Sequence, residues 1–353
     1  VIGTDLSKYK LITKGKFACN PMHVGRDERL PVALYDEEKP AIVSPAYFMF
    51  EVIDNSILNE DYLMMWFRRP EFDRICWLHT DGSVRGGITW DDICRLELPI
   101  PPIENQLEIV NSYKEITERI ALKQKINDNL VACIDTIFNE QFGNFKALAE
   151  SSTANTDFSS LPDGWTIENA VHSFDISIGK TPPRSEPEWF TSNQTDNVWI
   201  SIADMKTNSP FIFKSAEYLT NEAVKKHNVK IVPANSVLLS FKMTVGRVAI
   251  VTNEVTTNEA IAHFPCTKEN LFFVYCYLKN FNYGYLGSTS SITTAINSKI
   301  IKEMPFLMPS KKELDLFNHK VSGLFEQLKY ISKELDILEE LSKMLLPQLL
   351  GHC

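Results

Sequence analysis

The stretch PSKKELDLFNHKVSGLFEQLKYISKELDILEELSKMLLPQLLG at 309–351 decides the fold, because the chain carries it twice. Moved back by 208 positions, it falls without a gap on PPIENQLEIVNSYKEITERIALKQKINDNLVACIDTIFNEQFG at 101–143. Pro101 then meets Pro309, Glu118 meets Glu326, Lys125 meets Lys333, Asp128 meets Asp336, Leu130 meets Leu338 and Gly143 meets Gly351. The apolar rhythm is shared more widely than the identities. The first copy reads Ile109, Tyr113, Ile116, Ile120, Lys123, Asn127, Leu130, Ile134, Ile137. The second reads Phe317, Val321, Leu324, Leu328, Ile331, Leu335, Leu338, Ser342, Leu345. Steps of four and three residues are the seam of a coiled coil. Each copy predicts a helix of about 40 residues, roughly 60 Å long at 1.5 Å per residue. Two such helices in one chain most simply pack on each other. Lys123 and Asn127 interrupt the first seam where Ile331 and Leu335 continue the second, and polar seam residues of this kind fix register at some cost in stability. Glu326, Lys329, Lys333 and Glu334 fall on the outer faces, as a solvated surface or a docking surface.

The globular parts repeat as well. Lys230 to Leu238 matches Lys10 to Ala18, Asn258-Glu259-Ala260-Ile261 sits where Ser44-Pro45-Ala46-Tyr47 sat, and Phe272 to Tyr277 matches Tyr62 to Phe67. Gly287-Ser288 matches Gly82-Ser83, and Pro305 to Pro309 repeats the proline-marked start of the first helix at Pro99 to Pro102. The reading is a mixed α/β protein of five parts. Residues 1–100 form a first globular domain, 101–143 a long helix, 144–160 a Ser, Thr, Ala and Asn linker, 161–308 a second globular domain, and 309–351 a second long helix. Residues 161–220 have no counterpart in the first copy. Antiparallel helix pairing would place the two globules at opposite ends of a pseudo-twofold rod, a body suited to measuring distance.

Within the domains, Lys10 to Asn20 predicts strand, turn, strand around Gly15. Ala41 to Phe50 is a further strand broken by Pro45, Asp61 to Phe67 a buried helix, and Val198 to Ile202 an alternating strand. Trp66, Trp77, Trp165 and Trp199 are expected in the core.

Composition narrows the function classes. At 353 residues the chain has room for two or three domains with their own cores. The longest apolar runs, such as Leu271 to Leu278, are too short to span a bilayer. No signal peptide is visible, and the chain opens on Val1 without a Met, which predicts that its true start is missing. Seven scattered cysteines form no CxxC, so they read as reduced thiols, with no zinc site and no other metal site expected. The formal charge of −9 speaks against a simple nucleic-acid glove. Residues 1–100 hold 12 basic and 16 acidic groups and residues 161–308 hold 13 of each, so a DNA face needs local clustering or a partner's positive field.

Leu161-Pro162-Asp163-Gly164-Trp165, the loop Gly179-Lys180-Thr181-Pro182-Pro183-Arg184, Ser44-Pro45-Ala46-Tyr47, Asn258 to Ile261, the Gly-Ser loops and the proline-marked helix starts resemble the specificity subunit of type I restriction–modification systems. The resemblance covers nearly the whole chain. It implies two target-recognition domains, each reading half of a bipartite site in double-stranded DNA, separated by helices that set spacing and dock adenine methyltransferase subunits. It implies restriction subunits outside these, S-adenosylmethionine, ATP and Mg on the partner subunits rather than on this chain, and a cytoplasmic, prokaryotic setting. Residues 1–100 lack an LPxGW start and its basic loop, so the first recognition domain reads as truncated at its N-terminus.

Catalytic motifs are missing. Adenine methylation needs an N-P-P-Y/F pocket to hold a flipped base, and Asn20-Pro21-Met22-His23 lacks its second proline and its aromatic ring. Gly179-Lys180-Thr181 resembles the end of a P-loop, but Phe174 stands where the first glycine belongs. No catalytic residue is assigned. The DNA-contact candidates are Lys16, Asn20, Arg26, Ser44, Tyr47 and Arg85 in the first domain. In the second they are Lys180, Thr181, Arg184, Lys242, Arg247, Asn258, Ser288, Thr289 and Ser290. Arg184 is suited to reading a guanine edge and Lys180 to a phosphate, and Arg85, between glycines, is the preferred base reader of the first domain. Ser288 to Thr294 is small enough for close approach to a backbone. Each has a plainer alternative, as an exposed basic loop, a hairpin tip or a turn. The function reads as a DNA-specificity subunit without catalysis of its own. The alternatives are the recognition part of a larger methyltransferase or nuclease fusion, and a coiled-coil adaptor that binds no DNA.

Overall fold

The computed structural model describes residues 6–22, 24–80, 87–151, 157–206, 209–286 and 296–351. The chain divides into two compact units, Val1–Ala121 with Ile337–Cys353, and Leu122–Asp336. Two long helices, Ile103–Glu150 and Lys311–Gly351, each contribute to both units.

The first unit is built on a three-stranded antiparallel sheet. Lys16–Cys19 lies at its centre, between Val32–Leu34 and Phe48–Glu51. Lys10–Ile12 does not fold back on Lys16–Cys19 as a hairpin. It pairs with Ala41–Val43 in a separate ribbon, and Gly15, with φ 85, turns the chain between the two. Helix Glu60–Phe67 starts at Asn59, whose side chain accepts the Tyr62 N–H, and it buries five residues in a row from Tyr62 to Trp66. A helix buried all round needs partners on every side. Leu63 and Met64 take the sheet residue Phe17, while Tyr62 and Met65 take Val110 and Leu346 of the long helices. Gln106, fully buried, ties the start of the first long helix to this body. Its Nε2 donates to Ile57 O at 2.8 Å and Pro101 O at 2.7 Å, and its Oε1 accepts from Asn59 N at 2.8 Å. Trp77 departs from its expected core position. Phe72 and Cys76, four apart, face inward on helix Pro70–Leu78, which leaves Trp77 on the next face at 42% exposure.

The second unit carries a five-stranded sheet in the order Phe211–Ile212, Val248–Val251, Ser236–Ser240, Ile261–Pro265, Ser177–Ile178. Every residue of Ser236–Ser240 is buried, as expected of a central strand covered on both faces. A four-stranded sheet runs Thr256–Thr257, Asn197–Ile200, Glu217–Leu219, Phe190–Thr191. Helix Leu271–Asn280 covers the larger sheet and joins the long helices in one core, where Phe142 meets Phe138, Trp165, Phe273 and Phe317.

The long helices run antiparallel in each unit. In the first, Ser342 Oγ donates to Tyr113 Oη at 3.3 Å, and Val110 shares a cluster with Leu346. In the second, Lys123 pairs with Glu334 at 2.7 Å, Phe138 and Phe142 contact Phe317, and Gln141 Nε2 reaches Glu313 Oε2 at 3.1 Å. Position rises along one helix as it falls along the other. Ile109, Tyr113, Ile116, Ile120, Leu130, Ile134 and Ile137 are all buried or half-buried, as are Phe317, Val321, Leu324, Leu328, Ile331, Leu335, Leu338 and Leu345. Glu334 is not on a solvated outer face, because it turns in to Lys123. The expected linker at 144–160 is helical as far as Glu150. Phe145 continues the apolar spacing of Phe142 and packs at a tilt against Trp165, ring centres 4.7 Å apart, and the Glu150 carboxylate accepts from Lys146 Nζ and the Asn282 N–H.

Candidate nucleic-acid interface

Three loops meet beyond the ends of the strands in the second unit. The first, 179–184, leaves strand Ser177–Ile178. Its backbone is pinned where Gly179 N donates to Ile261 O at 3.1 Å and Lys180 N donates to Thr257 O at 2.9 Å. Only glycine fits at 179, since a Cβ there would lie 2.1 Å from both Asn258 O and Thr257 Oγ1. The glycine that looked like the end of a phosphate loop is required by this close crossing of two backbones. The second loop, 258–260, is an Asx-turn in which Asn258 Oδ1 accepts from Ala260 N at 3.1 Å. The third is the tip 241–247 between strands Ser236–Ser240 and Val248–Val251, which pair antiparallel.

Side chains join these loops. The Thr181 hydroxyl donates to the Glu259 carboxylate and holds its pKa below the ordinary value, with smaller contributions from the charges of Lys242 and Arg184. Arg184 is held on three sides. Nη1 and Nη2 donate to the two Glu217 oxygens at 2.7 and 2.8 Å, and the guanidinium lies 4.0 Å from the Phe190 ring centre and 4.8 Å from that of Trp199. The ion pair lowers the Glu217 pKa and raises that of Arg184. A guanine-reading role for Arg184 therefore requires DNA to replace Glu217 at the guanidinium fork. Lys180 and Lys242 are exposed. Arg247 points the other way, its Nη1 donating to Ile202 O at 2.7 Å.

His263 lies beneath the loops, fully buried. Its Nδ1 is 2.8 Å from Ser177 Oγ and its Nε2 is 2.7 Å from Thr257 Oγ1. Thr257 Oγ1 donates to Asn258 O at 3.2 Å, so the network assigns the ring proton to Nε2, with Nδ1 accepting from Ser177. Burial lowers the pKa of this imidazole to about 4. His263 thus joins the strand that feeds loop 179–184 to the strand that feeds loop 258–260. The chain sequence offered only an isolated His in an apolar strand, and its hydroxyl partners lie 86 and 6 positions away.

In the first unit the candidates are spent locally. Lys16 lies 3.8 Å from Glu51 on the neighbouring strand. Asn20 Oδ1 accepts from Met22 N at 3.1 Å, and Ser44 Oγ accepts from Ala46 N at 3.3 Å, so both shape turns. Tyr47 is half-buried, and its carbonyl accepts from Lys10 Nζ at 2.6 Å. The Arg26 side chain and Arg85, Ser288, Thr289 and Ser290 lie outside the described residues. Among the described residues no three His, Cys, Asp or Glu side chains gather as a metal site, and no helix is long and apolar enough to cross a membrane.

Residues 173–343 match the type I restriction modification DNA specificity domain. The chain is 24% identical to the HindI specificity subunit of Haemophilus influenzae over 88% of its own length and 80% of that protein's. It is 21% identical to a putative MjaX specificity subunit of Methanocaldococcus jannaschii, over 98% of this chain and 80% of the relative. The type I restriction–modification S subunit from M. genitalium shares the fold, with TM-score 0.55 at 15% identity, covering 97% of this chain and 84% of that one. Residues 173–343 carry the type I restriction modification DNA specificity domain, and over nearly its whole length the chain is similar to specificity subunits of type I restriction enzymes.

Proposed function

We propose that each unit reads one half of a bipartite DNA site, that the antiparallel helices fix the gap between the halves, and that the same helices dock adenine methyltransferase subunits. The observation that carries this reading is the convergence of loops 179–184, 241–247 and 258–260, joined through Thr181, Glu259 and the charges of Lys242 and Arg184. Lys180 and Lys242 supply phosphate contacts, and Arg184 reads a base once it exchanges Glu217 for DNA. Methyl transfer and ATP-driven cleavage belong to the partner subunits, which bring S-adenosylmethionine, ATP and Mg. The chain's own net charge of −9 fits an assembly in which partners supply part of the positive field.

The test is co-expression with a type I adenine modification subunit, followed by co-purification and selection of duplexes from a random pool. A stable complex that enriches one gapped sequence is expected, with affinity falling steeply as salt rises. A complex that forms but enriches no sequence at any salt concentration would favour an adaptor that binds no DNA.

A further inference from the structure

The tip of the hairpin in the second unit is built around an unfavourable choice. Met243 sits at φ 57, in the left-handed region that glycine or asparagine normally fills. Thr244 N donates back to Lys242 O at 2.6 Å, closing a three-residue γ-turn of the strained hand with Met243 at its centre. The Met243 side chain is 99% exposed, so an apolar thioether stands in water on a backbone that its own Cβ disfavours.

The surroundings hold this tip firmly. Ser240 Oγ donates to Thr244 O at 2.6 Å and accepts from Arg247 N at 3.0 Å. Gly246 N donates to Ser240 O at 3.0 Å and Phe241 N to Ala260 O at 2.9 Å. Gly246 has φ 89 and packs so closely on Tyr283 that a Cβ would lie 3.1 Å from the ring. A frozen turn that presents a fully exposed apolar side chain, with Val245 beside it also exposed at 38%, is the arrangement expected of a contact made with something else. Lys242, the preceding residue, is exposed and acts on Glu259 of the converging loops, so the tip belongs to that same face.

We propose that Met243 is the apolar base-contacting residue of the second recognition unit, carried into a DNA groove by the hairpin tip and packed against the bases of one half-site. This rests on the DNA-reading function proposed above. Unbranched apolar side chains suit this work, because a thymine methyl or a partly unstacked base step offers apolar surface that phosphate-binding lysines cannot read. A methionine adapts its shape to such a surface more readily than a branched residue.

The experiment maps methylated adenines in a methylation-free host that expresses the modification subunit with wild-type chain, Met243→Ala or Met243→Gly. Wild type is expected to give a bipartite motif. Both variants should keep one half-site and the gap, while discrimination at one or two positions of the other half-site relaxes about tenfold. The glycine variant should melt no lower than wild type, because glycine adopts this φ freely. An unchanged motif and methylation rate in both variants would overturn the proposal. A glycine variant that melts well below wild type would also overturn it, marking Met243 as a folding residue. A wild-type chain that gives no gapped motif would sink the DNA-reading function itself, and that outcome is separable because it does not depend on Met243.

Discussion

His263 satisfies both ring nitrogens with hydroxyls, from Ser177 and Thr257, and neither partner can stabilise a positive charge as a carboxylate would. An unfolded histidine titrates near 6.5, whereas this one is lowered to about 4 by burial. Between those values the unfolded chain binds a proton that the folded chain does not. The stability His263 supports is therefore fully present above pH 6.5 and is lost as pH falls toward 4, by up to about 3 kcal/mol. Thermal melts from pH 7 to 4.5 should show this loss, and His263→Gln should flatten the slope; equal slopes in both proteins would refute the assignment. At this scale the sequence was partly legible. The motif Asn258 to Ile261 and the loop around Lys180 were visible as short strings of turn and basic residues. Their joining through Thr181 and Glu259 was not, because the two residues lie 78 positions apart and only the sheet brings them together. Arg184 could be read as an available reader but not as the partner of Glu217, for the same reason.

The long helices were the most legible elements, since a four-and-three rhythm over 40 residues admits few alternatives. The seam positions name the faces turned inward. What the rhythm did not reveal is how far the helices belong to the globular core. Phe138, Phe142 and Phe325 lie just outside the seam and widen it into a face that packs on helix Leu271–Asn280 and the sheet. The same widening carries the first helix through Phe145 to Glu150, where a Ser and Ala composition had suggested a linker. Asn127 is the exception within the seam. It is 3% exposed, and among the described residues its Oδ1 finds no hydrogen-bond partner. A buried unsatisfied amide oxygen costs about 1–3 kcal/mol. Asn127→Leu should therefore raise stability by about 1 kcal/mol, provided the extra apolar volume is accommodated, and denaturant unfolding would read it. The expected price is looser register, so the variant should also methylate a motif with a less sharply defined gap. Lower stability with an unchanged gap would show that Asn127 is not a register device.

For the whole molecule, the repeat by itself announced two globule-and-helix halves, and the structure divides the chain into two units that each take part of both helices. Unit boundaries within the helices could not be read from composition, because a helix's sequence does not change where its neighbours do. The first unit is a three-stranded counterpart of the five-stranded sheet in the second, in keeping with the absence of a match for residues 161–220. The central claim is that paired helices set the gap between two half-sites, and the most direct measurement is a map of methylated adenines. It would compare wild type with a chain carrying seven added residues in each helix at the level of the Lys123–Glu334 pair. One added heptad lengthens a helix by about 10 Å at 1.5 Å per residue, which corresponds to about 3 base pairs at 3.4 Å each. The account predicts a bipartite wild-type motif with one fixed gap, and the same half-sites about 3 base pairs further apart in the lengthened chain. A contiguous wild-type motif, or half-sites whose gap stays constant when the helices grow, would contradict it.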